Sequence, residues 1–175
     1  MTGTMWDDVD IRSARFHLRP IREDDVTQRY LDWFSGRGAA QISRHPGSLD
    51  ALRVYVRERR NRPDVLFLAI RFAETGLHIG NLKFEPIDHE RAGAVMGIFV
   101  GDESWQGKGV ATETIRAAAD WLHDRLGLRY LWLGVANDNL AALQAYQRSG
   151  FVKKISPLIP DNPDIHTMEL ELWRR

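Results

Sequence analysis

Short strand-like and helix-like patterns alternate in the first 70 residues. Residues 15–20 alternate between polar and apolar and stop at a proline, which predicts a first strand. Acidic residues at 23–25 predict the start of a helix that ends at Gly36, and a second helix is predicted between Ser48 and Pro63. A continuous apolar run at 65–70, with turn residues on both sides, indicates a buried strand.

Hairpin signals follow this run. Thr75-Gly76 predicts a turn that leads into a strand at 77–85, and a polar loop is expected at 86–91. The next strand-like segment, 93–101, contains three glycines, which suggest a bulge or a close approach of the backbone to another group.

The second half of the chain alternates helix and strand. Residues 107–126 form the longest helical pattern, and a shorter helix is predicted at 139–149. Strands are predicted at 128–135, 151–155 and 165–173. Hairpins followed by strand–helix–strand units predict a mixed α/β fold with one central sheet.

The whole chain has 175 residues, which fits a single core. We expect residues 1–14 to be a loose leader segment and residues 15–175 to form a single domain. Lys and Arg total 24 and Asp and Glu total 24, so the charge gives no support for a nucleic-acid partner. The polar N-terminus and the absence of an apolar run of roughly 20 residues predict a cytoplasmic protein without a membrane partner.

Composition also removes several kinds of chemistry. The chain has no cysteine, which excludes a disulfide framework, a thiolate nucleophile and a cysteine-ligated zinc site. The histidines show no close spacing to other histidines or to acids that would suggest a metal site, so no metal is expected.

The most informative stretch is 101–112, where a predicted strand ends, Gly107 and Gly109 bracket one residue, and the long helix begins. Glycine allows backbone N–H groups to face a ligand, and a helix N-terminus favours an anion. The pattern predicts a phosphate or diphosphate cradle, and a simple strand-to-helix turn is the alternative. It lacks the Gly-Lys-Ser/Thr ending of a Walker loop and the third glycine of a dinucleotide fingerprint.

Two motifs resemble a known family. Gln106-x-x-Gly109-x-Ala111 is similar to the acetyl-CoA signature of the GNAT acetyltransferase superfamily, and residues 139–151 resemble its second signature, an asparagine-led helix with a tyrosine and a closing Gly-Phe. The start at 18–25 looks like that of the ribosomal-protein-acetylating and spermidine-acetylating branch. The resemblance extends from about residue 15 to residue 173.

The resemblance implies a mixed, largely antiparallel central sheet with a splayed central strand pair and helices on both faces. It also implies acetyl-CoA as cosubstrate. Backbone N–H groups of the glycine turn would hold the diphosphate, the end of the preceding strand would pair with the pantetheine amides, and Asn139 would contact the pantetheine or cap its helix. The residues implied to bind the cofactor are Phe99, Val100, Gly101, Gln106, Gly107, Lys108, Gly109, Val110, Ala111, Thr112 and Asn139.

Tyr146 is the expected proton donor to the departing CoA thiolate, and packing against its helix face is the alternative. Related enzymes often place a Glu on the strand before the cradle, but residues 94–100 contain no acid. Glu85 and His89 are therefore the leading candidates for the general base. Asp88, Asp102, Glu103 and a water relay with backbone carbonyls remain as alternatives.

Three functions fit these features. The first is acetylation of a primary amine on a small molecule such as an amino sugar, a polyamine or an aminoglycoside. The second is acetylation of a protein N-terminus, and the third is a non-catalytic acyl-CoA-binding module. The balanced charge favours a small or neutral acceptor, and exposed strand edges permit a homodimer.

Overall fold

The computed structural model describes residues 4–36 and 45–174. Within them, the strands are β1 (Ile11–Arg12), β2 (Phe16–Pro20), β3 (Leu66–Phe72), β4 (His78–Asp88), β5 (Gly93–Phe99), β6 (Tyr130–Ala136), β7 (Val152–Lys153) and β8 (Ile165–Glu171). The α-helices are α1 (Gln28–Asp32), α2 (Leu49–Arg60), α3 (Val110–Leu126) and α4 (Leu140–Arg148). Short 3-10 helices lie at Glu23–Asp25, Trp33–Ser35, Glu103–Trp105 and Leu172–Arg174.

The strands form one sheet in the order β1-β2-β3-β4-β5-β6-β8-β7. All neighbouring strands are antiparallel except β5 and β6, which are parallel. The predicted fold class, a mixed and largely antiparallel central sheet, is confirmed.

The parallel pair separates part of the way along its length. Residues 93–95 of β5 pair with residues 130–132 of β6. Beyond that point β5 continues on β4 as far as Phe99, while β6 continues on β8 as far as Ala136. A gap therefore opens between the two strands toward their carboxyl ends, and it matches the splayed central pair that the resemblance implies.

Helices cover both faces of the sheet. On β3, Leu68 and Ile70 belong to the core formed with α3 and α4. The alternate residues Phe67 and Ala69 face the opposite way, into the core formed with α1 and α2. Because side chains of a strand alternate between faces, this two-sided burial explains the continuous apolar run at 65–70.

The expectation of a loose leader is wrong for the described residues 4–13. Trp6, Val9 and Ile11 are buried in the main core, and β1 pairs with β2 through Ile11 and Leu18. Three apolar residues among polar neighbours gave a weak pattern, yet their burial attaches this segment to the domain.

Two other expectations change in detail. The helix predicted to extend from residues 23–25 to Gly36 is interrupted, because Thr27 starts a new helix by accepting the Tyr30 N–H. The loop predicted at 86–91 shortens to 89–92, because β4 continues past Pro86 through a bulge and buries Ile87.

Candidate active site

The glycine turn that the sequence predicts as a diphosphate cradle lies at the start of α3. Gly107 and Gly109 have φ angles of +71° and +76°, the left-handed region that favours glycine. Gly109 is the N-cap of α3, and its carbonyl accepts the first bond of the helix from the Glu113 N–H at 3.1 Å. The N–H groups of residues 110–112 precede that bond and are the donors that a helix N-terminus offers to an anion.

Gln106 fixes the start of this turn. Its Nε2 donates to the Val100 carbonyl oxygen at 3.0 Å, so the turn is tied to the end of β5. Lys108 extends over the ring of Trp105, with Nζ 5.7 Å from the ring centroid. The bond to Val100 gives Gln106 a structural role in addition to the backbone contact with the diphosphate that the resemblance implies.

The end of β5 leads into the same turn. Phe99 pairs with Asn81 of β4, and its β6-facing edge lies beyond the last β5–β6 pair. Gly101 is buried, and a Cβ there would overlap the indole of Trp33. Gly101 is therefore required for packing, which explains one of the glycines that suggested a close approach.

Asn139 caps α4, since its Oδ1 accepts the Ala142 N–H at 3.2 Å. The capping alternative is thus observed, and the pantetheine contact stays a prediction.

Tyr146 lies on the α3 side of the sheet and packs against the core that Ile98 also covers. Its ring is 5.8 Å from that of Phe151, so the packing expected from the alternative interpretation is also present. Burial raises the pKa of Tyr146 to about 12, so the hydroxyl keeps its proton at neutral pH. A protonated hydroxyl is the state that a proton donor requires.

The two leading base candidates do not lie together. His89 is exposed in the turn between β4 and β5, next to the end where β5 and β6 are still paired. Glu85 is on β4 and forms ion pairs with Arg59 at 3.0 Å, Arg62 at 2.6 Å and Lys83 at 2.6 Å. Partial burial opposes ionisation of Glu85, but the Lys83 hydrogen bond and the three cationic charges outweigh it and lower its pKa.

The alternative acids are also engaged. Asp88 accepts from the backbone N–H and the guanidinium of Arg91. Asp102 caps the following 3-10 helix and forms an ion pair with Arg29. Glu103 is exposed beside Gly36.

A cavity of about 670 Å³ lies on the α1–α2 side of the sheet. Its described lining residues are Tyr30, Phe34, His45, Pro46, Gly47, Ala51, Val54, Tyr55, Glu58, Phe67, Asn81, Lys83, Gly97, Ile98 and Phe99. The last three belong to the part of β5 that has left β6. A Cβ at Gly97 would meet no atom within 4 Å, so the cavity is open above that residue.

Lys83, Tyr55 and Glu58 are among the polar side chains that line the cavity. Lys83 Nζ donates to the Tyr55 hydroxyl at 2.9 Å and lies 5.8 Å from the Phe67 ring centroid. Glu58 lies at the mouth, with 61% of its side chain exposed. These residues were not identified as site residues from the sequence, because Lys83 of β4 meets Tyr55 of α2 only in the folded chain.

The lining residues Asn81 and Tyr30 belong to a hydrogen-bonded group that includes His78. The carbonyl of Gly80 and Oδ1 of the buried Asn81 lie 3.0 and 2.9 Å from His78 Nε2, and both are acceptors, so this nitrogen carries the proton. Burial lowers the pKa of His78 and raises that of Tyr30, whose hydroxyl also bonds to Asn81.

No group of three or more potential metal ligands occurs among residues 4–36 and 45–174. Across the same residues, no helix combines the length and the apolar character that a membrane span needs.

The splayed parallel strand pair and the glycine turn at a helix N-terminus are the features that the resemblance implies for a GNAT acetyltransferase. Residues 15–152 match the family described as Acetyltransferase (GNAT) domain. The match covers well over half of the chain, and the protein therefore belongs to the GNAT acetyltransferase family.

Solved structures share this fold. A chimera of spermidine N-acetyltransferase from Vibrio cholerae has 21% identity and a TM-score of 0.77, with 92% of this chain and 98% of that chain covered. A Vibrio cholerae protein assigned as a ribosomal-protein-serine acetyltransferase has 17% identity and a TM-score of 0.75, with 95% and 99% covered. A spermidine N-acetyltransferase from Vibrio cholerae in complex with CoA and spermine has 20% identity and a TM-score of 0.72, with 92% and 98% covered. A comparison with curated proteins found no match.

Proposed function

We propose that this protein transfers the acetyl group of acetyl-CoA to a primary amine of a small molecule. The observation that carries the proposal is that the cavity on the α1–α2 side and the gap between β5 and β6 share the end of β5. The cavity is lined by Gly97, Ile98 and Phe99, the part of β5 that borders the gap, and this strand leads into the glycine turn of α3.

The start of α3, the gap between β5 and β6, and Tyr146 each have a role in this reaction. The N–H groups at the start of α3 hold the diphosphate, and the gap between β5 and β6 takes the pantetheine arm. Acetyl-CoA supplies a thioester carbonyl, to which the amine nitrogen bonds as the carbon–sulfur bond breaks. Tyr146 gives its proton to the departing sulfur and regains one through water, and the proton released by the amine also leaves through water.

A water route for that proton agrees with the placement of the acids. The carboxylate of Glu85 is held by three cations, and His89 lies at the paired end of the β5–β6 ladder. Glu58 is the one acid among the described lining residues, and we assign it the attraction of the ammonium form of the acceptor to the cavity mouth.

The cavity favours an acceptor with one amine and several hydroxyl groups, as in an amino sugar. Its volume of about 670 Å³ lies in the range of small-molecule sites. Asn81, Tyr55 and Lys83 offer hydrogen bonds to hydroxyl groups, and the rings of Tyr30, Phe34, Phe67 and Phe99 form part of the wall. A polyamine would place additional positive charge near Lys83, and like charges repel more strongly where water is excluded.

A thiol-release assay with acetyl-CoA tests the proposal. We expect turnover with amino sugars, a lower kcat/KM with spermidine, and none with N-terminal peptides. Turnover with peptides alone would instead establish protein N-terminal acetylation. CoA binding in calorimetry without turnover on any amine would establish a binding module, and absence of CoA binding would refute the proposal altogether.

A cytoplasmic location, a homodimer, and the absence of metal, nucleic-acid and membrane partners stay predictions from the sequence. The described helices are too short or too polar to span a bilayer.

A further inference from the structure

Arg15, the residue before β2, lies beside the cofactor turn. Its Nη2 donates to the Lys108 carbonyl oxygen at 3.0 Å, in the middle of the glycine pair. The same nitrogen is 3.6 Å from the position that a Cβ on Gly109 would occupy. The guanidinium therefore lies next to the residue that begins α3.

Glu113 of α3 holds this arginine in place. One carboxylate oxygen of Glu113 accepts from the Arg15 Nε at 2.7 Å, and the other accepts from the Arg15 backbone N–H at 2.8 Å. The Ser13 hydroxyl also donates to Glu113, at 2.7 Å. Three hydrogen bonds thus join the segment before β2 to the first turn of α3, and a fourth joins it to the glycine turn.

The guanidinium keeps donors for a ligand. An arginine side chain has five N–H donors, and the contacts that the structure describes use two of them. The side chain is 42% exposed. A fixed, partly exposed guanidinium is well suited to bidentate recognition of phosphate oxygens.

We propose that Arg15 is a further binding residue for the diphosphate of CoA, and that Glu113 is the positioning residue that holds it. This inference rests on the proposed function, because it assumes that the diphosphate lies at the start of α3. It adds a cationic side chain to a site that the sequence motifs assign to backbone groups.

The pairing has a consequence for the electrostatics of the site. Burial opposes ionisation of Glu113, but the hydrogen bonds from Ser13 and Arg15 outweigh it and lower its pKa. Removal of the Arg15 guanidinium alone would leave this carboxylate without the arginine charge near a dianionic ligand. Replacement of both residues would remove the repulsion together with the attraction.

The test compares R15Q with R15Q/E113Q by calorimetric titration of CoA. Loss of a charged hydrogen bond together with the new repulsion should weaken CoA binding about 30-fold in R15Q. The double variant should bind about three times more tightly than R15Q. Wild-type affinity in R15Q, or a double variant no tighter than the single one, would overturn the inference.

S-acetylpantetheine, which lacks the diphosphate, separates a ligand contact from a structural effect. R15Q should lower kcat/KM for acetyl-CoA and leave that for S-acetylpantetheine unchanged. Equal losses with both donors would show that Arg15 only stabilises the fold. R15K keeps a charge and should bind CoA with intermediate affinity, which gives a second measurement if R15Q folds poorly.

Dephospho-CoA, which lacks the 3′-phosphate, shows which phosphate of CoA Arg15 contacts. R15Q should weaken its binding as much as that of CoA, because both ligands keep the diphosphate. A loss confined to CoA would place the contact at the 3′-phosphate and contradict the inference.

R12Q is the matched control, since Arg12 is 69% exposed and pairs with Asp10. Failure of the wild-type protein to bind CoA would refute the proposed function itself.

Discussion

The two faces of the central sheet are built for their parts of the site in different ways. On the α3 side, the groups that we propose for the cofactor are mainly backbone N–H donors at a glycine turn. On the α1–α2 side, the cavity offers side chains from α2, β4 and β5. The first site depends on chain conformation, and the second depends on which side chains the fold brings together.

This difference explains why one face is easier to interpret than the other. A backbone site leaves a local signature, because only glycine adopts the left-handed conformations at Gly107 and Gly109 without strain. A side-chain site has no such signature, because Tyr55 and Lys83 are 28 positions apart and meet only in the folded protein. The cofactor side should therefore respond to backbone changes and the acceptor side to changes of charge.

Tyr146→Phe should give the largest effect. Loss of the proton donor should lower kcat about 1,000-fold, within the range of general acid catalysis. The CoA dissociation constant should stay unchanged, since the diphosphate and pantetheine contacts remain. Single-turnover kinetics and calorimetry measure the two quantities.

Tyr130→Phe is the control for this change, because the Tyr130 ring stacks on Trp132 and the residue lies at the paired end of β6. Turnover in Tyr146→Phe close to that of the wild type would assign Tyr146 to packing alone.

Asp25→Asn should produce the next largest effect, on the stability of the α1–α2 side. The buried Asp25 carboxylate accepts hydrogen bonds from Arg19 and Arg71 at 2.8 Å and from the Arg22 N–H at 2.8 Å. Breaking such a buried pair should lower the free energy of unfolding by about 3 kcal/mol. Urea titration at pH 7 measures the loss, with Asp50→Asn, 91% exposed, as control.

The same carboxylate predicts a pH dependence. Burial opposes ionisation of Asp25, but the hydrogen bonds from Arg19 and Arg22 outweigh it and lower its pKa below that of the unfolded chain. The stabilisation is therefore present above the unfolded pKa and is lost as the pH falls through the folded pKa. Wild-type stability should fall in this acidic range more steeply than that of Asp25→Asn, and equal slopes would contradict the assignment.

Gly109→Val tests the backbone site directly. A β-branched residue is strained at a φ of +76°. The turn should therefore shift, and its backbone N–H groups should no longer point at the diphosphate. Loss of two charged hydrogen bonds should weaken CoA binding about 100-fold. Gly76→Val is matched, because Gly76 has a φ of +72° in the β3–β4 turn and should lose stability without loss of CoA affinity. Equal CoA affinity in the two variants would refute the cradle.

The sequence predicted most of the fold because its signals are local. The long helix starts three residues later than expected, after Gly109, and ends as predicted at Leu126. The separation of β5 from β6 followed from the resemblance, since no residue pattern announces where two parallel strands part. The buried N-terminal segment was missed because Trp6, Val9 and Ile11 are separated by polar residues and pack on distant strands.

For the candidate site, the sequence predicted the glycine turn but neither the surroundings of the base candidates nor the acceptor cavity. The glycine turn before α3 formed where its glycines indicated, its role in cofactor binding stays a prediction, and Asn139 caps its helix. The base candidates Glu85 and His89 were chosen by their nearness in sequence to β5, but cationic neighbours and strand direction decide their surroundings. The acceptor cavity could not be inferred, because its lining depends on how α2 docks on β3 and β4.

Lys83→Met addresses the acceptor side and should have the smallest effect. Methionine keeps the length and apolar character of the stem, and Glu85 retains Arg59 and Arg62 as partners. Loss of one positive charge at the cavity wall should raise kcat/KM for spermidine relative to an amino sugar by about tenfold, which corresponds to about 1.4 kcal/mol of relieved repulsion. Competition assays with both acceptors measure this ratio. Lys153→Met, at an exposed position on β7, should leave it unchanged. An unaltered ratio in Lys83→Met would mean that the acceptor does not approach Lys83, and that charge on the α1–α2 side does not select the substrate.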